Sequence, residues 1–174
     1  NGSSDGSAAL ASERVEVIVR DHPLSFAAAV NLGIAATRTR YVCLLNNDMV
    51  IEDGFFPALE KAFELVPELF CATAQIFFPP GQRRQETGKA VYTPGHGRDF
   101  PLRCDTPIAG ENYSPVLYGS GGCSLYDTQK LRKIGAFKEA FRPAYVEDLD
   151  AGFRGWQQGW PTVFVSDAKV VHYH

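Results

Sequence analysis

YVCLLNNDMVIEDGF, residues 41–55, decides how the rest of the chain is read. Val42, Cys43, Leu44 and Leu45 form a short apolar run, the pattern of a buried strand, and it stops at Asn46, Asn47 and Asp48. In open α/β sheets, ligands collect in the crevice outside the carboxyl ends of strands, which is where such a strand delivers Asp48. Carboxylate oxygens suit hard cations such as Mg2+ or Mn2+, which keep positions open for phosphate oxygens. The same triplet also suits Asx turns ahead of the next helix. Alone, it is a turn or a site.

Outward from this stretch, strand-like and helix-like segments alternate. Residues 14–20 alternate apolar and polar as a strand does, and residues 24–37 are alanine-rich and helical in pattern. Residues 53–65 form a helix with Asp53 as its expected N-cap, and residues 70–78 form a further strand. Order is weak across residues 79–114, where Gly, Pro and Arg are scattered, and such irregular stretches are usually functional. It resumes with residues 116–126, a short helix over 128–134, a helix over 149–159, and two short strands over 162–165 and 169–173. This alternation predicts one α/β domain over residues 1–174 with a mostly parallel sheet.

Composition narrows the classes. The chain has 174 residues, 45% of them hydrophobic and 21% charged, enough for one sizeable core. A net charge of −3 and the lack of a basic run leave no footprint for nucleic acid. The cysteines, Cys43, Cys71, Cys104 and Cys123, lack CxxC spacing and two sit in apolar runs, so a zinc cluster or disulfide framework is not expected. A reducing compartment fits this usage. No apolar run reaches the roughly 18 residues of a membrane span.

Three further constellations carry chemistry. In VEDLDAGFRGWQQGW, residues 146–160, Leu149, Phe153, Trp156 and Trp160 form an apolar stripe at helical spacing. Asp148, Gly152, Gly155 and Gly159 form the adjacent stripe, along which another backbone or a ligand can approach closely. Glu147, Asp148 and Asp150 at the helix start also suit its dipole. In VVHYH, His172 and His174 fall on one face of a strand, where imidazoles hold a metal or serve the structure. In YGSGGCSLYD, Gly119, Gly121 and Gly122 permit a bulge or close approach to a ligand.

As an ordered set these pieces resemble the family 2 inverting glycosyltransferases of the GT-A fold. Residues 1–7 are similar to the family's D-N-G-S-x-D-G-S segment, FAAAVNLGI to its N-x-G helix, and N-N-D to its D-x-D strand end. GSGGCSLYDTQKLRKIGAFKEAF resembles the acceptor-side strand and G-x-F-x-E-x-F turn, VEDLD the ED motif, and VVHYH the late histidine. The resemblance implies a Rossmann-like sheet flanked by helices, truncated at the N-terminus. A strand, a helix and a second strand carrying much of the base pocket are expected ahead of Asn1. The chain alone is therefore expected to bind nucleotide-sugar poorly and to leave a sheet gap or exposed edge.

The implied reaction moves a sugar from a nucleoside-diphosphate sugar to an acceptor hydroxyl with inversion, in bacterial-type polysaccharide or glycoconjugate synthesis. The resemblance assigns Asp148 as base with Glu147 as second choice, and Asp48 with His172 as ligands for Mn2+ or Mg2+. Ser3, Asp5, Asn31, Asn46, Asn47 and Asp48 are expected on the donor, and Gly121, Gly122 and Asp150 on substrate. A missing Q-x-x-R-W signature favours single transfers over polymer synthesis. Expected partners are the nucleotide-sugar donor and a glycan or glycolipid acceptor. A neighbouring domain, peripheral membrane association and self-association through the exposed sheet are further expectations, with a cytoplasmic location extending to the inner membrane face. A nucleotidyltransferase, a non-catalytic sugar- or nucleotide-binding fragment and, last, a zinc hydrolase built on Asp48, His172 and His174 remain as rival readings.

Overall fold

The computed structural model describes residues 2, 4–79, 88–92, 102–105, 110–142 and 145–173. The expected strand over residues 41–45 forms as β1 (Tyr41–Leu45), followed by β2 (Met49–Ile51) and α3 (Phe55–Leu65), with α1 (Ser7–Ser12) and α2 (Phe26–Ala36) ahead of them. β3 (Cys71–Phe77), β6 (Ser114–Val116), β7 (Cys123–Asp127) and β8 (Thr162–His172) complete the main sheet, in the order β1-β7-β3-β8-β2 with β6 also on β8. α4 (Thr128–Lys133) and α5 (Glu147–Gln157) lie between β7 and β8 in sequence.

The α/β class and the helix-flanked sheet are as expected, but the sheet is mixed rather than mostly parallel. β3 and β8 pair in parallel, whereas β1 with β7, β3 with β7, β2 with β8 and β6 with β8 are antiparallel. Apolar runs reveal that a strand is buried, not which way its neighbour runs. That depends on the connections.

Two cores form, one on each face. Phe55, Leu59 and Ala62 of α3 pack on Ala72, Ala74, Ile76, Leu125, Val163 and Val165. On the opposite face Ile34 of α2, Leu131 of α4 and Ala151 of α5 meet Phe70, Cys71, Tyr126 and Phe137. β3 therefore shows both faces in alternation, with Cys71, Thr73 and Gln75 on the side of α5, as the strand period requires.

Several local expectations are corrected. Residues 14–20 form no strand, and Val15, Ile18 and Val19 lie exposed, because alternation organises a strand only where a partner and a core face receive it. Asp53 does not cap α3; Gly54, at φ 83°, takes that position. The segment 79–114 is not wholly irregular, since β4 (Lys89–Tyr92) and β5 (Leu102–Asp105) pair antiparallel within it. The two terminal strands are one, interrupted by a bulge where the register with β3 jumps from Val165 to Lys169. Asn112 holds that bulge, accepting from Ser166 N at 2.9 Å and donating to Asp167 Oδ2 at 2.6 Å.

The glycine stripe of α5 is the buried one. Ala151, Gly152 and Gly155 are buried while Phe153, Trp156 and Gly159 are exposed, so within α5 the two glycines make the contact, and Trp160, past its end, packs on the same core. A Cβ on Gly152 would lie 2.6 Å from the Leu117 carbonyl oxygen, and one on Gly155 would lie 2.7 Å from the Phe70 ring. The close neighbours of that face are thus backbone and ring. Among the described residues, no helix is long and apolar enough to cross a membrane.

Candidate active site

The carboxyl end of β1, the start of β7, the end of β8 and the N-terminus of α5 converge on one cleft of about 350 Å3. Its walls include Asn46, Asp48 and Met49 from the β1–β2 turn, Ser120, Gly121 and Gly122 ahead of β7, Glu147 and Asp148 of α5, and His172 of β8. This volume suits a small ligand. Four separate motifs of the sequence thus meet in space.

Asp48 is delivered by a turn. Asn46 N–H donates to Gly122 O at 2.8 Å, and Met49 N–H donates back to Asn46 O at 3.3 Å, which turns the chain out of β1 and leaves Asp48 at the lip. Its Oδ1 lies 3.2 Å from His172 Nε2, and the His172 ring stacks on Phe78 at 6.3 Å between centroids. His172 is buried and Asp48 is part-exposed, 41% for its side chain. The pair arises from register: β2 runs antiparallel to β8 with Met49 opposite His172, and Tyr173 N–H binds Asp48 O at 2.8 Å.

Asp148 is held more tightly. Its Oδ2 accepts from Gly121 N–H at 3.1 Å and its Oδ1 from Leu149 N–H at 2.8 Å. Burial is the main influence on this carboxyl and raises its pKa above the usual 3.8, against the opposing effect of those amides. α5 enters through Val146 at φ 80°, a conformation that a β-branched residue rarely adopts. Glu147 is buried, with Oε2 lacking a hydrogen-bond partner among the described residues. One of its sides faces the cleft, and the other faces a small chamber with Ser25, Lys138 and Arg142.

Other expected site residues are engaged elsewhere. Asn31 spends its amide on Phe137, donating to its carbonyl at 2.8 Å and accepting from its N–H at 3.1 Å. Asp150 pairs with Arg154 at 2.6 Å, and Arg154 in turn holds the Ile134 and Ala136 carbonyls. Asp5 accepts from Ser7 N–H and its hydroxyl, bonds that hold its pKa down, and is fully exposed. Asn47 is exposed at the turn and is not among the lining residues. Ser3 and His174 lie outside the described residues.

The structure adds Phe26, Met49, Ser120 and Tyr145 to the cleft. Ser120 and Tyr145 adjoin the G-S-G-G and V-E-D motifs, so adjacency was the signal available for them. Phe26, at the start of α2, had none.

As a metal site the described residues offer Asp48 and His172, one oxygen and one nitrogen donor in contact. Among the described residues there is no cluster of three or more His, Cys, Asp or Glu able to hold a metal ion. The pair therefore fits a cation that draws its remaining ligands from substrate oxygens and water, as Mg2+ and Mn2+ do.

A 59-residue segment is 37% identical to an N-acetylglucosaminyl-diphospho-decaprenol L-rhamnosyltransferase of Mycobacterium tuberculosis, covering 34% of this chain and 19% of that protein. The protein y4gI of Sinorhizobium fredii is 23% identical over 168 residues, which is 92% of this chain and 18% of that one. The chain thus spans about a fifth of the length of these curated relatives. In structure it is similar to GalNAc-T7 solved with UDP, GalNAc and Mn2+ (TM-score 0.65, 11% identity, 86% of this chain and 30% of that one). It is also similar to A197 from STIV (TM-score 0.55, 16% identity, 96% and 77%). At such identities these likenesses show the fold. The model of glycosyl transferase family 2 matches residues 1–135, and to that family the chain belongs.

Proposed function

We propose that this cleft transfers a sugar from a nucleoside-diphosphate sugar to an acceptor hydroxyl with inversion at the anomeric carbon. The observation that carries the reading is the placement of half-buried Asp148 and the Asp48–His172 pair in the same cleft. Asp148 is the base. The acceptor oxygen attacks the anomeric carbon, its proton passes to Asp148, and the bond from that carbon to the diphosphate oxygen breaks with its electron pair leaving on the diphosphate. One displacement suffices, so no protein nucleophile is needed; the arrangement mirrors the carboxylate base of inverting glycosidases.

Asp48 and His172 would hold the divalent cation, which supplies positive charge to the departing diphosphate. Asn46, at the turn, and the Gly121–Gly122 backbone border the donor, and Glu147 reaches sugar hydroxyls from beside the base. Asn31 and Asp150, with their side chains engaged in packing contacts, have structural parts. Support for the donor class comes from the family and from the fold shared with GalNAc-T7, solved with UDP and Mn2+. A lipid-linked glycan acceptor has support in the mycobacterial relative, whose name joins L-rhamnosyl transfer to N-acetylglucosaminyl-diphospho-decaprenol.

The test is a panel of nucleotide-sugars incubated with the protein and Mn2+, with nucleoside diphosphate release measured and product configuration read by NMR. Release that is selective for one donor and lost in Asp148→Asn is expected. A folded full-length protein that releases no diphosphate from any member of the panel overturns the reading.

A further inference from the structure

Under the Gly119–Gly122 loop lies a polar pair that the reaction described above does not use. Thr73 of β3 and Ser124 of β7 stand directly opposite each other in the antiparallel register, both fully buried, on the face that carries Cys71 and Tyr126. Their hydroxyl oxygens are 2.9 Å apart. Thr73 Oγ1 accepts the Ser120 N–H at 3.1 Å, and the Ser124 hydroxyl reaches the Ser120 carbonyl at 2.8 Å. A carbonyl can only accept, so when the single Ser124 proton goes to the Ser120 carbonyl, the shorter of its two contacts, the Thr73 hydroxyl is left to donate to Ser124 at 2.9 Å or to the Cys123 carbonyl at 3.5 Å. Every hydroxyl is then satisfied by grasping both ends of one loop residue.

The Ser120 carbonyl and the Gly121 N–H belong to the same planar trans peptide, in which the two groups point in opposite directions. Anchoring the carbonyl down into the sheet therefore aims the N–H up at the cleft, where it meets Asp148 Oδ2 at 3.1 Å. A Cβ on Gly119 would lie 2.4 Å from Cys71 Sγ, and one on Gly122 would lie 2.8 Å from Asn46 Nδ2. We infer that Thr73 and Ser124 are positioning residues for the reaction: through the Ser120–Gly121 peptide they fix the orientation of the Asp148 carboxylate. This rests on reading Asp148 as the base.

Ser124→Ala and Thr73→Val test it, with Thr73→Ser as the conservative rescue. Turnover and the ionisation of Asp148, followed by carboxyl-carbon NMR without substrate, are the readouts. Asp148 shares the cleft with Glu147, Asp48, His172 and Tyr145 and has Cys71 and Tyr126 near it. Ser124 also bonds Cys71 and Tyr126, so Thr73→Val, which leaves those two bonds in place, is the variant whose difference reports the peptide. In Ser124→Ala and Thr73→Val, kcat is expected to fall roughly 10- to 100-fold with little change in donor KM, and the Asp148 pKa to rise as it loses the Gly121 bond. Thr73→Ser keeps both at wild-type values.

Folded Ser124→Ala and Thr73→Val proteins with wild-type kcat and wild-type Asp148 titration overturn the inference. Should neither variant fold, hydrogen exchange at the Gly121 amide of the wild type and Thr73→Ser decides it: slowed exchange supports the clamp, and exchange at the rate of an open loop overturns it. If the wild type transfers no sugar, the proposed function falls, while the NMR titration still decides whether this pair orients Asp148.

Discussion

The two acidic ends of the cleft are built in opposite ways. Asp148 is half-buried at a helix start, with an amide on each oxygen and a glycine loop locked above the sheet. Asp48 stands on a turn with its side chain 41% exposed and its Oδ1 against His172. An oriented, half-buried carboxylate suits collecting a proton at one point, because its direction is set before substrate arrives. A part-solvated one beside an imidazole suits a charged ligand that must enter and leave. The difference shows why two aspartates in one cleft need not share a task.

Substituting each end separately tests that division most severely. Asp148→Asn should lower turnover by about 10²–10⁴-fold, the usual worth of general base catalysis, with donor binding retained in calorimetry. Asp48→Asn should instead weaken Mn2+-dependent donor binding, by roughly 10- to 100-fold if it behaves as metal-site residues do. Equal losses of binding and turnover at both positions would erase the distinction.

A smaller effect is expected from packing behind Asp148. Gly152→Ala puts a Cβ 2.6 Å from the Leu117 carbonyl oxygen, so the helix that carries Asp148 must shift. Overpacking of this kind costs about 1–3 kcal/mol, which urea unfolding would measure. Wild-type stability in that variant would show that α5 is not seated as described. The same alanine change at Gly33, where an added Cβ meets nothing within 4 Å, serves as control.

The mildest test is pH. Burial raises the pKa of Asp148 above 3.8, and a base must be ionised, so turnover should fall as pH drops through that raised value. Stability runs the other way. A carboxyl whose folded pKa lies above its unfolded one favours the folded state fully below the unfolded pKa, and that contribution is lost as pH rises through the folded pKa. The Asp148 part of the stability profile, isolated by difference from Asp148→Asn, should therefore decline as activity appears. A contribution that grows with pH would contradict the burial of this group.

Much of the fold was readable because strands and helices here keep their periods: β1, α2, β3 and α5 lie where their patterns put them, within two residues. Residues 14–20 misled because their alternation meets no partner strand among the described residues, and Asp53 misled because a glycine beside it could adopt the left-handed turn more cheaply. At the site, Asp48, Asp148 and His172 stand out in the chain as acids and an imidazole at element ends. Phe26 did not, since an aromatic at a helix start resembles any core residue. Thr73 and Ser124 were likewise hidden, as two small polar residues inside apolar strands, visible as a pair only through register.

Residue types and their spacing set the chemistry on offer and its order along the chain: a strand ending in Asp48, a glycine loop before a strand, an acidic helix start and a late histidine. Those are local properties, written in residue type and spacing. Packing between distant elements made the sheet mixed, buried Gly152 and Gly155 of α5, engaged the Asn31 and Asp150 side chains, and set a buried hydroxyl pair beneath the loop that touches Asp148. Each of these depends on contacts between residues far apart in the chain. Neither strand direction nor the far partner of a hydrogen bond is written in a local pattern; both are settled when the elements pack.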